Sequence, residues 1–248
     1  MGGALLENWR RGDETFAIVD PVLERAPQGV SLYKTREDVA DKHFDLIVAA
    51  VKPQMIDEVM PDYSDMFTRD GYLLSIAAGC SIGRLKAVSG GKPVIRVMPN
   101  LPAAIGAGVS AICASEDANA AQLAHARAMM ERTGTVVTVD DEDAIDRFTA
   151  VAGSGPGYVF ELARAYTEAA MELGFDEAQA RAMVLGTLQG TVAMAASSDE
   201  PLETLRNSVT SKGGTTAAGL EALNGAGELS ALLSATLEAA YNRAIELR

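Results

Sequence analysis

The hydrophobic pattern changes rhythm partway along the chain. In the first part, short apolar runs at 15–20, 45–51, 71–77 and 93–98 have the length and character of strands buried on both faces of a parallel sheet. Helical patterns at about 36–43, 53–60 and 81–88 fill the intervals, bounded by Pro and Gly. A strand over 107–114, a helix over 117–132 and a strand over 134–139 continue the alternation. This β-α-β order predicts an α/β, doubly wound (Rossmann-like) parallel sheet. From about residue 142 the strand-like runs stop. Segments 157–173, 176–197, 201–209, 215–224 and 227–247 carry helical spacing and are rich in Ala, Leu, Glu and Met. The boundary is expected at about 141–150, dividing a dinucleotide-binding domain over 1–145 from an all-helical domain over 146–248. In the helical half, Gly186 and Gly190 are four apart and permit close helix approach, either inside one chain or in a dimer interface. Helices that are apolar on several faces favour the interface.

A dinucleotide-binding domain normally opens with a central strand, followed by G-x-G-x-x-G at the start of the first helix. This chain begins Met1-Gly2-Gly3-Ala4-Leu5-Leu6, which reads as the end of such a loop and its helix. Gly2 takes the place of the third glycine of the fingerprint, and the sheet is expected to lack its first strand. Three origins remain open: an internal methionine of a longer reading frame, a genuine truncation, or a plain surface helix over 3–11. Asp20 closes the second expected strand, where an acidic residue can bind a ribose 2′-hydroxyl and favour NAD. Arg25 and Arg36 stand nearby and suit a 2′-phosphate instead. Other glycine clusters, Gly106-Ala107-Gly108 and Gly153-Ser154-Gly155-Pro156-Gly157, follow a loop and a helix, so turns explain them.

Composition narrows the chemistry. Hydrophobic residues make up 48% and charged residues 22% of the 248 positions, values of an ordinary globular protein. A formal net charge of −13 opposes binding to nucleic acid or to an anionic membrane surface. Cys80 and Cys113 lie in no metal-ligand spacing and read as buried free thiols. His43 and His125 have no ligand partner in sequence and read as surface residues. No metal site and no Ser-His-Asp triad is expected. The start lacks the features of a signal peptide, so a cytoplasmic location is the expectation.

Several segments, in order, carry a resemblance. They are Ala50-Val51-Lys52-Pro53-Gln54, Ser75-Ile76-Ala77-Ala78-Gly79, Arg96-Val97-Met98-Pro99-Asn100-Leu101-Pro102, Ser154-Gly155-Pro156-Gly157-Tyr158-Val159-Phe160, and the run from Val209 to Leu220 centred on Ser211-Lys212-Gly213-Gly214-Thr215-Thr216. Together they resemble the pyrroline-5-carboxylate reductase family over essentially the whole chain. The resemblance implies reduction of Δ1-pyrroline-5-carboxylate to L-proline by hydride from NADPH or NADH, with a preference for NADPH. It also implies a homodimer or larger homo-oligomer built through the helical domain.

The first three motifs end parallel strands, where ligands bind in an open α/β sheet. Gly2, Asp20, Arg36, Ala50, Val51, Lys52, Pro53, Ile76, Ala77 and Ala78 are the expected cofactor-binding residues. Each of these motifs taken alone is also an ordinary strand-end turn. The glycine-rich turn of Ser211, Gly213, Gly214, Thr215 and Thr216 is the expected substrate site. Free amides there form a nest at a helix start, suited to a carboxylate. By resemblance, Thr216 holds the ring nitrogen and is the catalytic residue. A helix N-cap explains the same residues without a ligand. The family usually has Pro where this chain has Lys212, which either loosens the turn or adds a cation beside the anion.

Two other readings compete. One is a reductase of the same superfamily acting on another imine or a β-hydroxy acid; residues 151–175 lack the Lys such β-hydroxy-acid enzymes resemble one another in carrying. The other is a non-catalytic paralogue that only oligomerises.

Overall fold

The computed structural model describes residues 1–247. They form two compact units, one of residues 1–156 with 240–247 and one of residues 157–239.

In the first unit the elements run α1 (Gly2–Trp9), β1 (Ala17–Val19), β2 (Ser31–Tyr33), β3 (Phe44–Ala49), α2 (Ile56–Val59), β4 (Phe67–Ser75), α3 (Ile82–Val88), β5 (Val94–Pro99), β6 (Gly108–Ala114), α4 (Ala120–Glu131), β7 (Gly134–Thr138) and α5 (Glu142–Phe148). The strands make two sheets. β1 pairs with β2 in parallel, and β3 to β7 form a five-stranded sheet in chain order. β1 and β3 therefore each have one edge without a strand partner among the described residues. This is the divided sheet expected of a doubly wound fold without its first strand.

α1 is a packed layer of this unit rather than the surface helix considered as an alternative. Leu5 is fully buried and Trp9 is 3% exposed, and both join a core with Tyr72, Leu74, Ile95, Val97, Ile112 and Met130. A second cluster on the other face of the sheet holds Ile56, Leu73, Leu85 and Val94. Burying a side chain of this size stabilises by about 1.5–3 kcal/mol, so apolar burial on both faces positions the strand ends.

Four differences from the sequence expectation have physical causes. β6 runs antiparallel to β5, with Val97 opposite Ile112. Only a single 3₁₀ turn, Leu101–Ile105, joins them, and a parallel crossover needs a dozen or more residues. The helix expected over 36–43 shrinks to a 3₁₀ turn at Glu37–Val39, and that over 53–60 divides into Pro53–Met55 and the four-residue α2. β2 and α5 were not anticipated, since three and seven residues are too short for a periodic signal. His125 is not a free surface residue: its Nδ1 is 3.0 Å from the Tyr72 hydroxyl and its Nε2 is 3.4 Å from Glu14. Cys80 and Cys113 are buried free thiols as expected, and burial pushes both thiols up, away from reactivity.

Glu14 anchors the segment after α1. It takes a bidentate pair of hydrogen bonds from Arg132, at 2.6 and 2.8 Å, and Arg132 also donates to the Trp9 carbonyl. The Arg132 guanidinium holds the Glu14 carboxyl below its ordinary value, against the opposing effect of burial. A carboxyl depressed in the folded state stabilises above its unfolded pKa, and the contribution disappears as pH falls through the folded value. The melting temperature of Glu14→Gln should therefore lie below wild type at pH 7 and converge with it as the pH is lowered towards 3. A constant gap across that range would assign Glu14 no such role.

The second unit is helical. It contains the body of α6 (Gly155–Glu172), α7 (Glu177–Ala196), α8 (Leu202–Ser208), α9 (Thr215–Asn224) and most of α10 (Glu228–Glu246). Asp176 begins α7 with a capping box: it accepts from Gln179 N–H, and the Gln179 side chain accepts from Asp176 N–H. Many apolar residues stay exposed here, including Phe160 at 62%, Met194 at 68%, Val192 at 65% and Leu232 at 65%. Gly186 and Gly190 are also exposed, and a Cβ at either would meet nothing within 4 Å. Close packing within one chain therefore does not account for them.

Candidate active site

The carboxyl ends of β3 and β4 bring most of the expected cofactor residues together. Ala49 pairs with Ser75, and the Ile76 amide donates to the Ala49 carbonyl at 3.2 Å. The turns after these strands, Ala50-Val51-Lys52-Pro53 and Ile76-Ala77-Ala78, are thus neighbours. Pro53 and Ala78 line one cavity together with Gln54, Gly79, Arg96 and Thr149. Arg84 ties the two turns to each other, donating to the Pro53 carbonyl at 3.1 Å while paired with Asp57. Lys52 is exposed and opens the 3₁₀ turn at Pro53.

Gly2 begins α1 against this group. A Cβ on Gly2 would stand 2.9 Å from the Cβ of Ala50, so only glycine lets the helix start so near the strand end. The first amides of an α-helix have no intrahelical acceptor, and with the helix dipole they suit a pyrophosphate. The absent Cβ, the free first-turn amides and the small Ala77 and Ala78 together fit a dinucleotide.

Asp20 and Arg36 lie on the other sheet. The Asp20 amide bonds the Tyr33 carbonyl at 3.0 Å, so Asp20 follows β1 at the end where β2 also stops. Its Oδ1 accepts from the amides of Val22 and Leu23, at 2.8 and 2.9 Å, and these bonds hold its carboxyl below the usual range. Arg36 donates to the Asp62 carbonyl and to both oxygens of Asp65, about 3 Å in each case. Lys34, overlooked because β2 was not anticipated, adds a cation on this loop and donates to the Leu23 carbonyl.

The expected substrate residues sit on the second unit at the start of α9. Gly213 has φ +72, a left-handed turn that glycine adopts at no steric cost. Gly214 is the N-cap of α9, and a Cβ there would collide with the Ser211 hydroxyl. One detail corrects the expectation of a fully open nest: the Gly214 amide is used inside the turn, donating to the Ser211 carbonyl at 3.0 Å. The amides left for an anion are those of Thr215 and the residues after it. No side-chain hydrogen bond caps α9, and the hydroxyls of Ser211, Thr215 and Thr216 have no intrachain partner among the described residues. Plain capping therefore does not explain these three. Lys212 is exposed in the same turn.

A divided α/β sheet with a glycine-started helix at its strand ends, followed by a helical unit, defines a nicotinamide-dependent oxidoreductase of Rossmann type. Residues 142–247 match the family model described as pyrroline-5-carboxylate reductase dimerisation. A pyrroline-5-carboxylate reductase of Pseudomonas aeruginosa is 39% identical over 213 residues, covering 85% of this chain and 77% of that protein. The solved pyrroline-5-carboxylate reductase of Coxiella burnetii superposes with TM-score 0.91 at 29% identity, covering 99% of this chain and 94% of the other. That of Plasmodium falciparum, solved with NADP bound, superposes with TM-score 0.85 at 26% identity over 100% of this chain and 94% of its own. The chain belongs to the pyrroline-5-carboxylate reductase family, whose reaction is the reduction of Δ1-pyrroline-5-carboxylate to L-proline with a nicotinamide cofactor. Its helical region is of the family's dimerisation type, which supports homo-oligomerisation. No helix among the described residues is long and apolar enough to cross a membrane.

Proposed function

We propose that the chain carries out this reaction with NADPH, held by Gly2, Ala50–Pro53 and Ile76–Ala78, and with the imine substrate held by the turn 211–216. A bound nicotinamide supplies the hydride. The first-turn amides of α1 face the pyrophosphate, and Ala77 and Ala78, without bulk, let the ribose approach the backbone. At the other site, Ser211 Oγ and the amides of Thr215 and its successors bind the substrate carboxylate. Thr216 Oγ1 accepts a hydrogen bond from the protonated ring nitrogen. That bond orients an imine that is already electrophilic, so positioning is the main demand on the protein.

The observation that carries the substrate assignment is the set of three hydroxyls at 211, 215 and 216 gathered without partners at a helix start. The choice of NADPH is supported by Lys34 and Arg36 just past β2, by the internal bonds that occupy one oxygen of Asp20, and by the NADP-bound relative. The exposed apolar faces of α6, α7 and α10, with Gly186 and Gly190 among them, support an interface between copies.

Steady-state assays of cofactor absorbance test the reading. With Δ1-pyrroline-5-carboxylate, kcat/KM for NADPH should exceed that for NADH at least about tenfold, equivalent to about 1.4 kcal/mol. A ratio at or below one would reverse the cofactor assignment, and absence of turnover with either would remove the site reading altogether.

A further inference from the structure

Arg96 belongs to one of the motifs at the strand ends and lines the cavity shared by Pro53 and Ala78, yet it is not among the residues assigned to the cofactor or the substrate. Its side chain is 3% exposed in the middle of the sheet. A buried guanidinium is tolerated only where acceptors meet it. Here it donates from one nitrogen to Glu142 Oε1 at 2.8 Å, and another stands 3.8 Å from Asp146. The same Glu142 oxygen accepts a second hydrogen bond, at 2.8 Å, from the backbone amide of Ile82. Ile82 is the first residue of α3, after the N-cap Ser81. The bond therefore fixes the far end of the turn that starts at Ile76.

The rest of that turn is held as closely. The Ala77 amide donates to Ser75 Oγ at 3.2 Å, Gly79 has φ +71 and Cys80 is fully buried. Glu142 comes from α5, 60 residues away from Ile82 and 46 from Arg96. A charged group brought from a distant helix thus spans a buried strand cation and the end of the Ala77–Ala78 turn.

We infer that Glu142, oriented by Arg96, is a positioning residue that sets the height of the 76–81 turn against the nicotinamide end of the cofactor. This rests on the cofactor assignment proposed above. Removing the Glu142 carboxylate leaves the Ile82 amide without its acceptor and lets the turn move. Glutamine at the same place keeps an oxygen that accepts both bonds.

The test is a set of KM values for the purified oligomer. Glu142→Ala should raise KM for NADPH about tenfold and leave KM for Δ1-pyrroline-5-carboxylate within about twofold. Glu142→Gln should restore the cofactor KM to within about threefold of wild type. Should Glu142→Ala fail to fold, Ile82→Pro removes the N–H donor along with the isoleucine side chain, at a helix position where proline fits, and Ser81 already has the extended backbone that a following proline requires. Ile82→Ala is its control, since it trims the side chain and keeps the N–H. A cofactor KM raised in Ile82→Pro and not in Ile82→Ala supports the inference.

Unchanged cofactor KM in both Glu142→Ala and Ile82→Pro would overturn it, as would an equal rise in both substrates' KM. Ala78→Asp separates this failure from failure of the site reading. If Ala78→Asp raises cofactor KM while Glu142→Ala does not, only the positioning role falls. If Ala78→Asp is also silent, the turn does not meet the cofactor.

Discussion

Thr216→Ala should lower kcat/KM for Δ1-pyrroline-5-carboxylate by about ten- to a hundredfold while the melting temperature stays within about 1 °C of wild type. Both halves of this result come from one local fact. The Thr216 side chain is exposed at the second position of α9 and makes no intrachain hydrogen bond among the described residues. Exposed substitutions away from caps and packed groups change stability by about ±0.5 kcal/mol or less. Cap hydroxyls, by contrast, cost about 1 kcal/mol when removed. A hydrogen bond to a charged group contributes about 1.5–3 kcal/mol, and a protonated imine is such a partner, which sets the size of the kinetic loss. Steady-state kinetics and thermal melts of the same preparation read both numbers. A variant that loses stability and activity in parallel would make Thr216 a structural residue and leave the ring nitrogen unassigned.

The largest loss of stability is expected from Gly134→Ala. Gly134 opens β7 with φ +137, a region that L side chains rarely adopt. It pairs with Gly108 across β6 and β7, and a Cβ there would collide with the Gly108 backbone. Gly108 is itself hemmed in from the other side, since a Cβ on it would stand 2.7 Å from the backbone of Ala103. Backbone strain costs about 1–3 kcal/mol, and forced overpacking adds about 1–3 more. A total near 4 kcal/mol lowers the melting temperature of a chain this long by about 10 °C. Calorimetry on wild type and variant measures it. A shift under about 2 °C would show that β7 can slide away from β6, and that the sheet edge is looser than its pairing implies.

Much of this protein was legible in its sequence because the relevant signals are local. Strand length, the change to helical periodicity after about residue 142, and the start of α1 at Gly2 depend on residues a few positions apart. The motif order carried the family, and each motif is a contiguous strand-end or helix-start segment whose chemistry is read without knowing its neighbours. The division of the sheet at β1 and β3 was foreseen for the same reason, from a fingerprint that begins at its third glycine.

Other properties were decided only when distant segments met. The chain reversal between β5 and β6 depends on a connection too short for a crossover, and periodicity is blind to direction. Asp20 has the right residue type in the right place, yet one of its oxygens is taken by the amides of its own loop. Gly214 lies in a nest by sequence, and its amide turns back to Ser211. Glu14 with Arg132, and Arg96 with Glu142, are separated by 118 and 46 residues. Such pairs leave no periodic or motif signal, because a buried charge selects its partner by proximity in the folded chain, and only burial makes that partner necessary.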